Sequence, residues 1–229
     1  YWKAMYQARS IRLVDAAFIR AVRWRKKNAG KQNQFYVRYE AGAKSLVILW
    51  IEESFMSRLF GIAGVQMSVE AWDMDKTFEK MADVALNIHK NFPWIGMVVY
   101  HELVVPGLVQ FKTPPDVDWW KKNSAPVPSF QTERLCALAK KTRLWLIPGS
   151  MWEIEDDKMY NTAIVISPEG EIVAKYRKMF PWLPFEAGTT AGNQFCVFDI
   201  PNVGRFGLCI CYDMWFPEVA RTLAWMGAE

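Results

Sequence analysis

Short apolar runs and longer amphipathic stretches follow one another along the chain from residue 61 onwards. Apolar runs at Gly61–Met67, Gly96–Tyr100 and Leu144–Pro148 predict buried strands. Between them, apolar residues recur every three or four positions over Asp75–Phe92 and Gln131–Lys141, which predicts helices with one apolar face. This alternation of strands and helices is typical of an α/β fold.

The second half of this region is richer in strands. Two predicted strands, Tyr160–Ser167 and Glu171–Tyr176, are joined by Pro168-Glu169-Gly170, a sequence that favours a hairpin turn. A further strand pair is predicted at Gln194–Ile200 and Gly204–Cys211, and a helix at Pro217–Met226. The segment Phe111–Pro128 is rich in proline and tryptophan and is predicted to be a loop. Hairpins beside strand–helix–strand units predict a layered α/β fold with a mixed sheet.

The first 60 residues differ from the rest in charge. They hold 12 lysines and arginines against 4 acidic residues, whereas residues 61–229 hold 16 against 20. A helix is predicted over residues 10–27 and a short strand over 35–39, while 45–51 is predicted as a buried strand or as the start of a helix that reaches Phe60. We therefore predict a basic N-terminal extension, 1–60, and a separate domain, 61–229. We interpret the basic excess as the solvated face of a helix. The alternative is that these residues form an arm that binds nucleic acid or anionic lipid.

Composition excludes several classes of protein. With 52% hydrophobic residues, 13 glycines and 12 prolines, the chain is neither collagen-like nor disordered. Its apolar runs are far shorter than the roughly 20 residues of a membrane span. Four cysteines are too few for a disulfide scaffold, so we expect a cytoplasmic protein. Two histidines exclude a three-histidine metal site, and the usual motifs of nucleotide-binding proteins, serine hydrolases and zinc hydrolases are missing from the sequence.

A cysteine at the end of a predicted strand carries the strongest local signal for chemistry. Cys211 stands between the strand that begins at Gly204 and the helix that begins at Pro217. Backbone N–H groups at the start of a helix favour a thiolate and can bind an oxyanion. The alternative is a cysteine packed in the core, the commonest environment of this residue type. A disulfide between Cys209 and Cys211 would be strained, because the two lie so close on one strand.

Three separated motifs decide between these alternatives, because together they resemble the nitrilase superfamily of carbon–nitrogen hydrolases. The motifs are VVYHEL at 98–103, KYRKMFPWLPFE at 175–186 and GLCICYDMWFPE at 207–218, and they occur in the order that the family has. The resemblance covers residues 61–229 and implies an α-β-β-α sandwich. Family members continue with further strands and helices, so we expect this sandwich to be C-terminally incomplete.

The resemblance assigns a role to four side chains in these motifs. It implies that Cys211 is the nucleophile, Glu102 the general base and acid, and Lys178 the cation that stabilises an oxyanion. Glu186 matches the second glutamate of the amidase branch. An amide NH₂ group has two donors, so we expect the carboxylate of Glu186 to be free to accept one of them. The implied chemistry needs no metal and no organic cofactor.

Three further residues lie beside these four. Tyr212, which follows the nucleophile, is a candidate substrate-binding residue whose backbone N–H is placed to bind an oxyanion. Trp182, within the lysine motif, is a second candidate substrate-binding residue. His101 stands where the family often has proline, and it either tunes the neighbouring glutamate or acts as a neutral spacer.

The resemblance implies hydrolysis of a non-peptide C–N bond, in which an amide gives an acid and ammonia or an amine through a cysteine thioester. The sequence Cys211-Tyr212-Asp213, where nitrilases tend to have Cys-Trp-Glu, favours amides. The alternatives are an N-carbamoyl amide hydrolase, a nitrilase, and a non-catalytic assembly module or inactive fragment of the fold. The expected partners are a small amide substrate and further copies of the full-length chain. Neither nucleic acid nor membrane is expected to bind the domain, and the role of residues 1–60 is left open.

Overall fold

The chain forms two compact units, Tyr1–Arg58 and Leu59–Glu229. The computed structural model describes residues 35–40, 46–51, 59–71, 73–106 and 117–229. In the first unit, strand β1 (Phe35–Glu40) pairs antiparallel with β2 (Leu46–Ile51), which confirms the strand predicted over 35–39 and selects the strand alternative over 45–51. The helix predicted over residues 10–27 lies outside the described residues.

A six-stranded mixed sheet forms the centre of the second unit. Its strands are β3 (Gly61–Val65), β4 (Ile95–Tyr100), β5 (Trp145–Ile147), β6 (Ser150–Glu155), β7 (Lys158–Ile166) and β8 (Ile172–Arg177). Strands β3, β4 and β5 run parallel, and β7 pairs antiparallel with β5, β6 and β8. The predicted mixed sheet and the predicted hairpin between β7 and β8 are therefore confirmed.

Two helices cover one face of this sheet. Helix α1 (Met74–Asn91) begins after Asp73, whose carboxylate accepts a hydrogen bond from the backbone N–H of Lys76 and so satisfies one free donor of the first turn. Helix α3 (Phe130–Thr142) follows Ser129. The apolar stripes of both helices pack on the sheet in one core cluster that contains Met81, Leu135, Val98, Leu146 and Ile164. This packing follows from the three-to-four spacing of apolar residues in the sequence.

A second sheet lies on the opposite face. Its strands β9 (Cys196–Ile200) and β10 (Gly204–Leu208) pair antiparallel, as predicted. Phe198 and Leu208 pack in one cluster with Met97 and Val165 of the central sheet. Helix α4 (Pro217–Trp225) contacts the outer side of β10, where Gly207 lets Leu223 approach. The order of layers is therefore α-β-β-α, as expected from the resemblance.

Three elements differ from the sequence predictions. Helix α2 (Val117–Asn123) lies inside the segment predicted as a loop, because the prolines on either side hid a short helical turn. Strand β6 was not predicted, since its buried Glu153 looks like a surface residue in the sequence. Strand β10 ends at Leu208, before the predicted end at Cys211. Among the described residues, no helix is both long and apolar enough to cross a membrane.

Candidate active site

Glu102 lies in a turn that follows β4. The next residue, Leu103, has a left-handed backbone (φ 52°), and its N–H donates to the Ser150 hydroxyl over 2.9 Å. Leu103 is buried in a small cluster with Trp120 and Trp152, whose rings stack with centroids 4.6 Å apart. This support holds the unusual backbone conformation that places Glu102 at the carboxyl end of the strand.

His101 ties the same turn to the strand next to it. Its Nε2 lies 3.1 Å from the carbonyl oxygen of Met67, and its Nδ1 lies 2.9 Å from the carbonyl oxygen of Glu102. The ring therefore bridges the segments that follow β3 and β4. It contacts the backbone of Glu102 and so does more than a spacer would.

Lys178 follows directly after β8. Its backbone is fixed on both sides, because its N–H donates to Asn161 and its carbonyl accepts from Gly192, each over 2.8 Å. The side chain is 1% exposed, and its Nζ lies 2.7 Å from Glu102 Oε1 and 2.5 Å from Glu186 Oε2. Burial lowers the pKa of Lys178, but the charges and hydrogen bonds of Glu102 and Glu186 outweigh burial and raise it above its ordinary value. Lys178 is therefore an ammonium at neutral pH.

Both carboxylate oxygens of Glu186 accept hydrogen bonds within the protein. Oε2 accepts from Lys178 and, over 2.6 Å, from the backbone N–H of Trp182, while Oε1 accepts from Asn161 over 2.8 Å. The residue is 4% exposed. The expectation that this carboxylate is free to accept a substrate NH₂ group is therefore wrong. The resemblance pointed to Glu186 as a residue of the site, but its bond to the Lys178 ammonium makes it a residue that holds the lysine.

Cys211 begins a 3₁₀ turn, Cys211–Trp215, and has a left-handed backbone (φ 46°). This conformation is uncommon for a residue with a side chain. The residue is exposed and lies at one end of a cleft with Glu102. Although the residue as a whole is exposed, partial burial of its thiol, then the negative charge and hydrogen bond of Glu102, raise the pKa of Cys211 to about 11, while Lys178 lowers it. At neutral pH the sulfur is therefore a thiol whose proton faces a carboxylate.

Asp213 is a buried residue of the site to which the sequence assigned no structural role. Its Oδ2 accepts from the Tyr176 hydroxyl over 2.7 Å and from the N–H of Ile210 over 2.9 Å, and its Oδ1 accepts from the N–H of Phe180 over 2.9 Å. Tyr176 and Phe180 flank Lys178, and Ile210 precedes the nucleophile candidate. One carboxylate thus joins the lysine segment to the cysteine turn, and its position two residues after the cysteine was the available signal.

Asn161 is a second such residue. It lies on β7, is 2% exposed, and its Nδ2 donates over 2.8 Å to Glu102 Oε1 and over 2.8 Å to Glu186 Oε1. A polar residue in the middle of the apolar run of β7 was the signal in the sequence. The partners could not be read from the sequence, because they come from two distant motifs.

A cluster of charges lies close to the lysine on the same strands. Glu153 of β6 is fully buried, and its carboxylate accepts from Arg177 and Lys175 of β8 and from the Thr162 hydroxyl of β7. Burial alone would raise the pKa of Glu153, but hydrogen bonds from Arg177, Lys175 and Thr162 lower it to about 2. These contacts fix the strand that ends immediately before Lys178.

Trp182 and Tyr212 come together beside the site. Their ring centroids are 6.5 Å apart, and the Trp182 side chain is part of the exposed surface. A mostly apolar cleft of about 300 Å³ opens between the two sheets, and Glu102 and Cys211 lie among its lining residues. Tyr212 follows Cys211 in the chain and Trp182 lies beside its ring, but neither aromatic is among the residues that line this cleft, and their role stays a prediction.

The charged groups of the site suit proton transfer and oxyanion stabilisation. A thiol, a carboxylate that takes its proton and a fixed ammonium are the groups that nucleophilic attack on a carbonyl requires. Among the described residues, no three His, Cys, Asp or Glu side chains group together as a metal site would require.

The fold, the three motifs and this cluster define a class of protein. Residues 61–229 match the carbon–nitrogen hydrolase family, so the chain belongs to that family, which is part of the nitrilase superfamily. Formamidases of Bacillus cereus and Bacillus anthracis are 30% and 31% identical to it over 159 residues. The match covers 69% of this chain and 46% of each formamidase, so the chain spans about half the length of the curated relatives it matches.

Two solved structures extend the comparison. Saccharomyces cerevisiae Nit3, a member of branch 10 of the nitrilase superfamily, is 30% identical with a TM-score of 0.65, over 73% of this chain and 60% of that chain. An amidase from Nesterenkonia sp. is 23% identical with a TM-score of 0.63, over 76% of this chain and 64% of that chain, and shows the fold alone. A mutant of the Nesterenkonia amidase has been solved in complex with butyramide.

Proposed function

We propose that the protein hydrolyses a non-peptide amide to a carboxylic acid and ammonia or an amine, through a thioester on Cys211. The observation that carries this proposal is that Glu102 and Cys211 line the same cleft, while the buried ammonium of Lys178 is bonded to the Glu102 carboxylate. Lys178 Nζ lies 2.7 Å from Glu102 Oε1, and the same carboxylate is close enough to the thiol of Cys211 to help raise its pKa. The formamidase relatives support an amide as the substrate class.

The first half of the reaction forms the thioester. The Cys211 sulfur attacks the amide carbonyl carbon while its proton moves to Glu102. The carbonyl oxygen becomes an oxyanion beside the Lys178 ammonium and the backbone N–H of Tyr212. Glu102 then gives the same proton to the nitrogen, the C–N bond breaks, and ammonia or an amine leaves.

The second half regenerates the enzyme. Glu102, again a carboxylate, removes a proton from a water molecule that attacks the thioester carbon. A second oxyanion forms at the same position and collapses, the C–S bond breaks, and the proton on Glu102 returns to sulfur. The products are a carboxylic acid and a thiol. One amide and one water are consumed, so the atoms balance.

The raised pKa of Cys211 is consistent with this sequence of events. A thiol with a pKa of about 11 is almost entirely protonated at neutral pH, so its proton must move during attack. When Glu102 takes that proton, its negative charge disappears from the neighbourhood of the sulfur. The developing charge then faces Lys178 with less repulsion, so proton transfer and attack favour one another.

The test compares two cysteines that are two residues apart. Cys211→Ala removes the proposed nucleophile, and we expect amide hydrolysis to fall below detection. Cys209→Ala is the matched control, because Cys209 is half-buried and lines the same cleft but takes no part in the proposed bond changes, so we expect most activity to remain. Ammonia release from small amides and from the matching nitriles would be measured for both variants and the parent protein. Equal loss in both folded variants would contradict the assignment, and faster turnover of nitriles would replace the amide by a nitrile.

A further inference from the structure

We propose that Asn161 is a positioning residue that directs the Cys211 proton to one oxygen of Glu102, namely Oε2. The inference rests on the proposed acid–base role of Glu102 and adds a residue to it. No motif that carries the resemblance contains Asn161, and it comes from the middle of β7.

The hydrogen bonds of Glu102 differ between its two oxygens. Oε1 accepts from Lys178 Nζ over 2.7 Å and from Asn161 Nδ2 over 2.8 Å. Two donors on one oxygen occupy the directions from which a third proton would approach. The oxygen left for the thiol proton is therefore Oε2, and the amide of Asn161 helps to fix the rotation of the carboxylate that makes this so.

The orientation of the Asn161 side chain is set by its neighbours. Its two partners, Glu102 and Glu186, offer only acceptor oxygens, so the NH₂ group must face them and the carbonyl oxygen must face away. That oxygen, Oδ1, is buried and has no hydrogen-bond donor among the described residues. An unpaired buried acceptor is unfavourable, so the amide is held in this orientation by its two bonds to the carboxylates.

The neutral Asn161 amide also supplies hydrogen bonds where two carboxylates share one cation. Two carboxylates, Glu102 and Glu186, face the single ammonium of Lys178. A neutral NH₂ group between them supplies one further donor to each without adding a positive charge. A second cation there would stabilise the carboxylate form of Glu102 more strongly and would oppose the protonation that the leaving nitrogen requires. An amide donor therefore suits a carboxylate that must alternate between base and acid.

The test uses the alkylation of Cys211 by iodoacetamide, which does not depend on turnover of a substrate. At pH 7 the thiol must give up its proton to Glu102 during the reaction. Near pH 11, the pKa of Cys211, much of the sulfur is already thiolate and needs no base. The ratio of the two alkylation rates therefore reports how well Glu102 is positioned. Asn161→Leu keeps the size of the side chain and removes the donor, and Asn161→Ala is a second variant that removes it without adding bulk.

Thr162→Val is the matched control. Thr162 is the next residue on the same strand, is equally buried, and donates to another carboxylate, Glu153, over 2.6 Å. We expect the Asn161 variants to slow alkylation at pH 7 by roughly tenfold or more, the effect of losing one hydrogen bond to a charged group, and to leave the rate near pH 11 unchanged. Thr162→Val should leave the ratio of rates unchanged.

Two results would overturn the inference. One is a ratio of rates in folded Asn161 variants equal to that of the parent protein, and the other is an equal change in Thr162→Val. A parent protein that hydrolyses no amide, together with a changed ratio in the Asn161 variants, would refute the proposed function and leave the positioning role standing. Amide hydrolysis with an unchanged ratio would refute the positioning role alone.

Discussion

Replacing Glu102 by glutamine separates the two effects that this carboxylate has on the nucleophile. At equilibrium, its negative charge and hydrogen bond help to raise the pKa of Cys211 to about 11. During the reaction, the same carboxylate is proposed to take the proton from the sulfur. Glu102→Gln keeps the size of the side chain and removes both the charge and the basic oxygen. We therefore expect more thiolate and less hydrolysis in the same variant.

The size of the first effect follows from the pKa. At pH 9, a thiol with a pKa of about 11 is about 1% ionised, whereas one at the ordinary value of 9.0 is half ionised. Burial is the largest cause of the shift and is still present in the variant, so the pKa should fall but stay above 9.0. The thiolate fraction at pH 9 should therefore rise by at most about fiftyfold. Hydrolysis of amides should fall by roughly 100-fold or more, because general acid–base catalysis is lost.

The assay is a pH titration of thiolate absorbance in the ultraviolet, taken as the difference from a matching protein that also carries Cys211→Ala. Glu171→Gln is the control, because it makes the same chemical change at an exposed position before β8. Its titration midpoint should equal that of the parent protein. A midpoint in Glu102→Gln that is unchanged or higher would show that the charge of Glu102 does not act on the sulfur, and the site geometry would be refuted.

Two further predictions concern the residues that support the site. Because the pKa of Glu153 is lowered to about 2 from an ordinary 4.5, its stabilising contribution of about 3 kcal/mol is complete above pH 4.5 and is lost as the pH falls towards 2. In urea unfolding at pH 7, Glu153→Gln should lower the free energy of unfolding by about that amount. Glu155 is half-exposed beside the same basic side chains, so Glu155→Gln should lower it by less than about 1 kcal/mol. Similar losses in the two variants would show that the buried cluster does not stabilise the fold as stated. Asp213→Asn places an NH₂ group against a backbone N–H, so it should lower the free energy of unfolding by about 1–3 kcal/mol. It should also lower kcat more than it raises KM. Tyr176→Phe removes only one hydrogen bond to Asp213 and should have a smaller effect. Full kcat in Asp213→Asn would show that the lysine segment keeps its position without this carboxylate.

The elements with a clear period were predictable from the sequence. Helix α1 and strand β4 were placed within a few residues, because a single face or a single apolar run determines each of them. Strand β6 was not, because its Glu153 is neutralised by basic residues of β8 more than 20 positions away. A buried charge in a strand looks like a surface charge until its partners are known.

The site shows the same division between local and distant information. Glu102, Lys178 and Cys211 lie in motifs that a sequence displays directly, and the structure brings them together. The network between them does not show in the sequence, because Asn161 and Asp213 act through partners in other strands. Glu186 was found through the resemblance, but its bonds to three donors depend on where Asn161, Lys178 and Trp182 lie in space.

The left-handed backbone at Cys211 has a consequence for how this protein can be improved or can evolve. Glycine adopts this conformation without cost, so the fold alone would favour glycine at the position that the chemistry reserves for cysteine. A laboratory selection for thermal stability alone would therefore drift towards loss of the nucleophile. Directed evolution for stability therefore needs to select for turnover in the same round, because stability favours glycine at position 211 and activity requires cysteine.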